Sequence, residues 1–116
     1  MESSIRAAEV AVSPQQSAEA PTKFTLDTLP DARLRVVEPI EVIPMVEGDK
    51  HVAEAPEINE FGFGDTLVGA VADLQAAIAE LYFTLEAEQR RLGPDLAAVW
   101  GTLSQKVHKA DAASRP

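Results

Sequence analysis

Leu67, Val71, Leu74, Ile78, Leu81 and Leu85 follow one another at intervals of 4, 3, 4, 3 and 4 residues. Only an α-helix returns to one face at that rhythm. Val68, Ala70, Ala77 and Tyr82 widen the stripe. The pattern predicts a helix over about 66–91, roughly 40 Å long at ~1.5 Å per residue. In a chain of 116 residues, so long an apolar stripe requires a covering layer. A sheet with strands of ~17–20 Å covers about half of it. The distal part, from Leu81 to Leu92, needs a second partner, either a following helix or another copy of the chain.

The covering sheet is legible upstream. Phe24 and Leu26 alternate with polar residues, and β-branched residues recur from Leu34 to Val42 around Pro30, Pro39 and Pro44. A proline cannot donate to a ladder, so these prolines place the segment at edges, bulges or strand ends. Glu47-Gly48-Asp49-Lys50 reads as a hairpin turn. A strand over 51–55 follows, then a turn at Pro56-Glu57 and a strand over 58–63 with Phe61 and Phe63 on one face. The run then enters Gly64-Asp65-Thr66. There Gly62 and Gly64 are expected to adopt angles that a Cβ resists, and Asp65 or Thr66 to cap the helix.

Leu92-Gly93-Pro94-Asp95 breaks the helix. Glycine suits the end of one helix and proline the first turn of the next. A second helix is predicted over 94–109, with Leu96, Val99, Trp100, Leu103 and Val107 as its stripe and His108 as a cation near its C-terminus. The expected fold class is α+β: an antiparallel sheet of about three strands packed by a long helix, then a C-terminal helix forming a hairpin with it. Residues 1–23, rich in Ala, Ser, Glu, Gln and Pro, read as a disordered tail, 24–110 as one domain and 111–116 as a frayed end. Self-association through Leu81, Leu85, Leu92, Leu96, Trp100 and Leu103 is expected, giving a homodimer or higher homo-oligomer.

The chemistry is sparse. The absence of cysteine excludes disulfides, thiolate metal sites and a cysteine nucleophile. His51 and His108 are far apart and fit no metal-ligand spacing. Gly62-Phe63-Gly64 lacks the third glycine and the later acidic residue of a dinucleotide loop. The expectation is a binding protein rather than an enzyme, with no cofactor and no metal. No leader and no apolar run of ~18 residues is read, so a cytoplasmic, membrane-free protein is expected. Net charge is −9, and nine of the nineteen acidic residues lie within 24–63. An acidic surface repels phosphate and favours a basic protein partner over nucleic acid.

The run Val52-Ala53-Glu54-Ala55-Pro56-Glu57-Ile58, followed by Phe61-Gly62-Phe63-Gly64-Asp65-Thr66 and Ala70-Val71-Ala72-Asp73-Leu74, resembles the HicB-like antitoxin module. Ala53, Pro56, Glu57 and Ile58 match its strand motif, and Gly64, Asp65, Thr66 and Ala70 match its helix-opening motif. Gly69 stands where that family carries an acidic residue. Leu92-Gly93-Pro94-Asp95-Leu96 before a Trp-bearing helix looks like a stand-alone branch without a DNA-binding domain. The resemblance implies an antitoxin that neutralises a small basic, HicA-like, RNA-cleaving toxin. Glu54, Glu57, Glu60 and Asp65 would meet the toxin's RNA-binding face, with Phe61 or Phe63 as apolar anchors. The alternative is a stand-alone homo-oligomeric module that uses its helical hairpin.

Overall fold

The computed structural model describes residues 23–110, so the tails expected over 1–23 and 111–116 lie, but for Lys23, outside the described residues. The chain runs β1 (Phe24–Leu26), β2 (Leu34–Val36), β3 (Ile40–Glu47), β4 (Lys50–Ala55), a 3₁₀ turn (Pro56–Ile58), β5 (Glu60–Gly64), α1 (Leu67–Glu88), α2 (Pro94–Lys106) and β6 (Val107–Lys109). Among the described residues this is an α+β fold with two antiparallel sheets. One is four-stranded, in the order β1-β3-β4-β5, and the other is a ribbon of β2 with β6.

Gly48 and Asp49 join β3 to β4 in a two-residue turn closed by Glu47 opposite Lys50. Gly48 has φ +62, which that turn demands and glycine supplies freely. Pairing alternates along the ladder from this closing pair. Pro44, opposite Ala53, therefore points its nitrogen away from β4. On that side β1 reaches Phe24, opposite Val42, so among the described residues no ladder bond is lost. The segment 34–44 is thus two strands in two sheets. Asn59, in the left-handed region at φ 54, ends the 3₁₀ turn. Ile58 belongs to that turn, not to the strand expected over 58–63, and is fully buried beneath it.

Thr66 caps α1, its Oγ1 accepting from the Gly69 N–H at 3.0 Å. Asp65 is not the cap. The buried face of α1 is Ala70, Leu74, Ile78, Ala79, Tyr82 and Leu85. Leu67, Val71 and Leu81 are half-buried at its margin, while Val68, expected to widen the stripe, is exposed. Gly62 and Gly64 lie where α1 crosses β5. A Cβ on Gly62 would fall 2.7 Å from the Leu74 Cα, and one on Gly64 2.6 Å from the Ala70 nitrogen. Neither has a positive φ. The expected reason for these glycines is therefore corrected: they admit the helix backbone, rather than an unusual turn. By length and composition alone α1 could cross a bilayer, but in the fold it is the helix laid across the sheet.

The distal half of α1 is covered from within the chain. Trp100 of α2 packs on Tyr82, ring centroids 5.1 Å apart. Beside them, Leu34 of β2 and Val107 of β6 join Ile78, Tyr82 and Leu103 in one core. The second helix ends at Lys106, three residues short of its expected end, so Val107 and His108 are strand residues. His108 sits opposite Arg35 instead of at a helix C-terminus. The carbonyl of Lys106 accepts from the Val37 N–H at 2.7 Å and the Glu38 N–H at 3.2 Å, and its Nζ donates to the Pro39 carbonyl at 3.0 Å. That wrapping diverts the chain from helix into ribbon. The charged end of α1 is also tied to the ribbon, with Glu86 paired to Lys109 at 2.5 Å.

Candidate binding face on the outer side of the sheet

Strand alternation sorts the four-stranded sheet into two faces. Gly62 and Gly64, Ala53 and Ala55, Ile40 and Val42, and Leu26 face α1 and the core. The opposite register carries Glu41, Ile43, Met45 and Glu47 on β3, Lys50, Val52 and Glu54 on β4, and Phe61 and Phe63 on β5. An antiparallel sheet with one face in water is normally polar on that face. Here the middle of the outer face is apolar. Phe63 lies opposite Val52, which lies opposite Met45, and Phe61 and Ile43 flank Glu54.

The two rings stack at 6.4 Å between centroids and 19° between planes. Phe63 is 56% exposed and Phe61 36%, whereas Val52 is 2% exposed. Val52 stands outside the main core cluster, between Met45 and Phe63 on the outer face. Carboxylates border this platform. Glu54 sits within it, and Glu41, bonded to Lys23 at 2.9 Å, closes one end. Glu47, Lys50 and Asp65 lie at the other, with Lys50 and Asp65 paired at 2.5 Å. The Lys50 ammonium holds the Asp65 carboxyl below its ordinary pKa, first by hydrogen bonding and then by charge.

The outward N–H donors of the β5 edge are occupied by side chains. The Phe63 N–H points outward and donates to the Asp73 carboxylate on α1 at 2.9 Å. The Phe61 N–H donates to the Glu60 carboxylate at 3.2 Å. With its outward donors occupied, the strand offers side chains rather than backbone to a partner.

The structure brings together only part of the expected site. Glu54, Phe61 and Phe63 share the outer face, and Asp65 stands at its far end through Lys50. Glu57 does not join them. It lies on the 3₁₀ turn, 3.6 Å from the Lys106 ammonium, and accepts from the Glu41 N–H at 3.4 Å. Glu60 has the core-side register, opposite Ala55, and its carboxylate serves the strand edge. Sequence reasoning missed Ile43, Met45 and Val52. The available signal was apolar residues at both parities of β3, with Ile40 and Val42 on one face and Ile43 and Met45 on the other.

The residues expected at an oligomer interface are also redistributed. Leu85 and Leu103 are buried within the chain and are corrected to core residues. Leu81, Leu92 and Trp100 are half-buried, and Leu96 is exposed. Among the described residues no group of three or more His, Asp or Glu side chains is placed to hold a metal ion. Comparison of the chain with protein-family models, with curated proteins and with solved structures finds no match.

Proposed function

We propose that this protein is a binding module of the antitoxin kind. It acts in the cytoplasm by holding a small basic protein, of the HicA-like RNA-cleaving class, against the outer face of its sheet. The observation that carries this reading is the Phe61–Phe63 platform, uncovered over Val52 and bordered by Glu41, Glu47 and Glu54. Exposed stacked aromatics with a charged border form a protein-binding surface. The carboxylates select a partner that carries lysine or arginine around an apolar centre. A surface that binds RNA has that charge, so occupying it excludes RNA by competition. The residues that carry the HicB-like resemblance adjoin this face: Ala53 is on β4, Pro56, Glu57 and Ile58 form the 3₁₀ turn after it, Gly64 ends β5, and Asp65 and Thr66 lead into α1.

Co-expression with a small basic protein that co-purifies with the chain from its own host tests the proposal. Growth arrest by that protein should be relieved by the wild-type chain. Relief should be lost with Glu54→Lys combined with Phe63→Lys, while thermal stability stays within a few degrees of wild type. Full relief by this double variant would remove the outer face from the mechanism. Failure of the wild-type chain to bind or relieve the basic protein would overturn the antitoxin reading itself.

A further inference from the structure

Within its own fold the chain already seats one guanidinium. The Arg33 side chain lies over the Phe83 ring, 4.3 Å from its centroid. Its Nε and one terminal nitrogen donate to the two Asp31 carboxylate oxygens at 3.0 and 2.7 Å. The seat is a phenyl face with a carboxylate at the guanidinium's edge. The centre of the outer sheet face offers the same two parts, Phe61 beside Glu54, and no cation with them. We propose that Glu54 and Phe61 form a site for an arginine side chain of the partner, which stacks on the ring and forks onto the carboxylate.

Three observations carry it. First, strand pairing sets the two groups side by side. Glu54 lies directly opposite Phe61, and the Phe61 N–H points away from β4, so no ladder bond separates the pair. Pairs of this kind bring their Cα atoms to about 4.5 Å and their side chains within contact range. Second, charge along the face is met at both ends and open in the middle. Glu41 has Lys23, and Asp65 has Lys50, which also lies opposite Glu47. Among the described residues Glu54 has no ion-pair partner. It is half-buried between Ile43 and Phe61, where a charge pair is less screened than in open water. Third, the aromatic surface is flat and accessible. The Phe61 and Phe63 rings lie within 19° of parallel and stay 36% and 56% exposed. A guanidinium is planar and weakly hydrated, and it lies on such a ring while two of its donors reach one carboxylate. A lysine ammonium is a compact, strongly hydrated charge that pairs with Glu54 but gains less from the ring. The site therefore selects arginine over lysine. It rests on the reading of the outer face as the surface that meets a basic protein, and it narrows that partner to one that projects an arginine.

NMR titration of the full chain with tetra-arginine and tetra-lysine, both acetylated and amidated so that their charges match, tests the site at about 0.15 M salt. Tetra-arginine should shift the Glu54, Phe61 and Phe63 signals and bind about fivefold more tightly than tetra-lysine. Glu54→Gln and Phe61→Leu should each bring the two affinities within about twofold of one another. Circular dichroism and thermal melting verify the fold of both variants. Glu47→Gln, at the border, should weaken both peptides alike and keep the preference. Equal affinities for the two peptides overturn the arginine site and leave the basic-partner reading standing. A preference that survives in both Glu54→Gln and Phe61→Leu, or shifts that avoid β4 and β5, also overturns it. Binding of neither peptide overturns the site as well, and co-expression then decides the antitoxin reading by itself. An arginine preference that maps to Glu54 and Phe61, beside a co-expressed basic protein that fails to bind, upholds the site and removes only the antitoxin reading.

Discussion

At Gly62 the backbone of α1 comes so close to β5 that no side-chain atom fits between them. A Gly62→Ala chain has to lift the helix from the sheet, and because the obstruction is backbone, no rotamer change relieves it. The expected loss is about 3 kcal/mol, read from urea unfolding. Asp31 is a case of local charge. The Arg33 side chain donates to its carboxylate at 2.7 and 3.0 Å, the Arg33 N–H adds a bond at 2.9 Å, and the carboxyl is held down to about 2 from an ordinary 3.8. The folded value is depressed. The pair's contribution is therefore full above the ordinary value and lost as pH falls through about 2. The Asp31 carboxyl followed by NMR should titrate near about 2, and Arg33→Gln should return it toward 3.8. The same guanidinium lies 4.3 Å from the Phe83 ring centroid, so the substitution also loosens the packing of β2 on α1.

At the scale of elements, the β2–β6 ribbon decides how the long helix is covered. Leu34 and Val107 fill the space between α2 and the distal turns of α1. A Val107→Asp chain buries an unpaired carboxylate at a fully buried position and should lose about 3 kcal/mol or more. Amide exchange would then rise first over the turns around Tyr82, with the β3–β4–β5 sheet less affected. The long helix, the hairpin at Gly48-Asp49 and the break at Gly93-Pro94 are all legible in the sequence, because each rests on a local rule of period, turn or cap. The ribbon is not. Val107 and His108 continue a helical stripe as well as they begin a strand, and only the Val37 and Glu38 donors wrapped around the Lys106 carbonyl choose between them. Both partners in that choice are some seventy positions apart, out of reach of any local pattern.

For the molecule as a whole, the sheet has one face that meets the helix and one that is left open, and the two have different charge. The open face is bordered by carboxylates, so the complex proposed for it with a basic partner should weaken as ionic strength rises. Titration calorimetry between about 50 and 500 mM salt should show a roughly tenfold or greater rise in Kd. The sequence alone determined that this chain is an α+β protein with a long core helix, an acidic surface and glycines at the helix-bearing strand. Those are statements about period, composition and backbone chemistry, which neighbouring residues set between themselves. The tertiary structure alone decided which side of the sheet α1 occupies. That choice put Ile43, Met45, Phe61 and Phe63 on the outside around Val52, turned Glu57 and Glu60 away from them, and drew Leu85 and Leu103 into the core. The physical reason is that β3 is apolar at both parities. The pattern offers two faces of similar hydrophobicity, and only the close approach of helix to glycine selects the one that is buried.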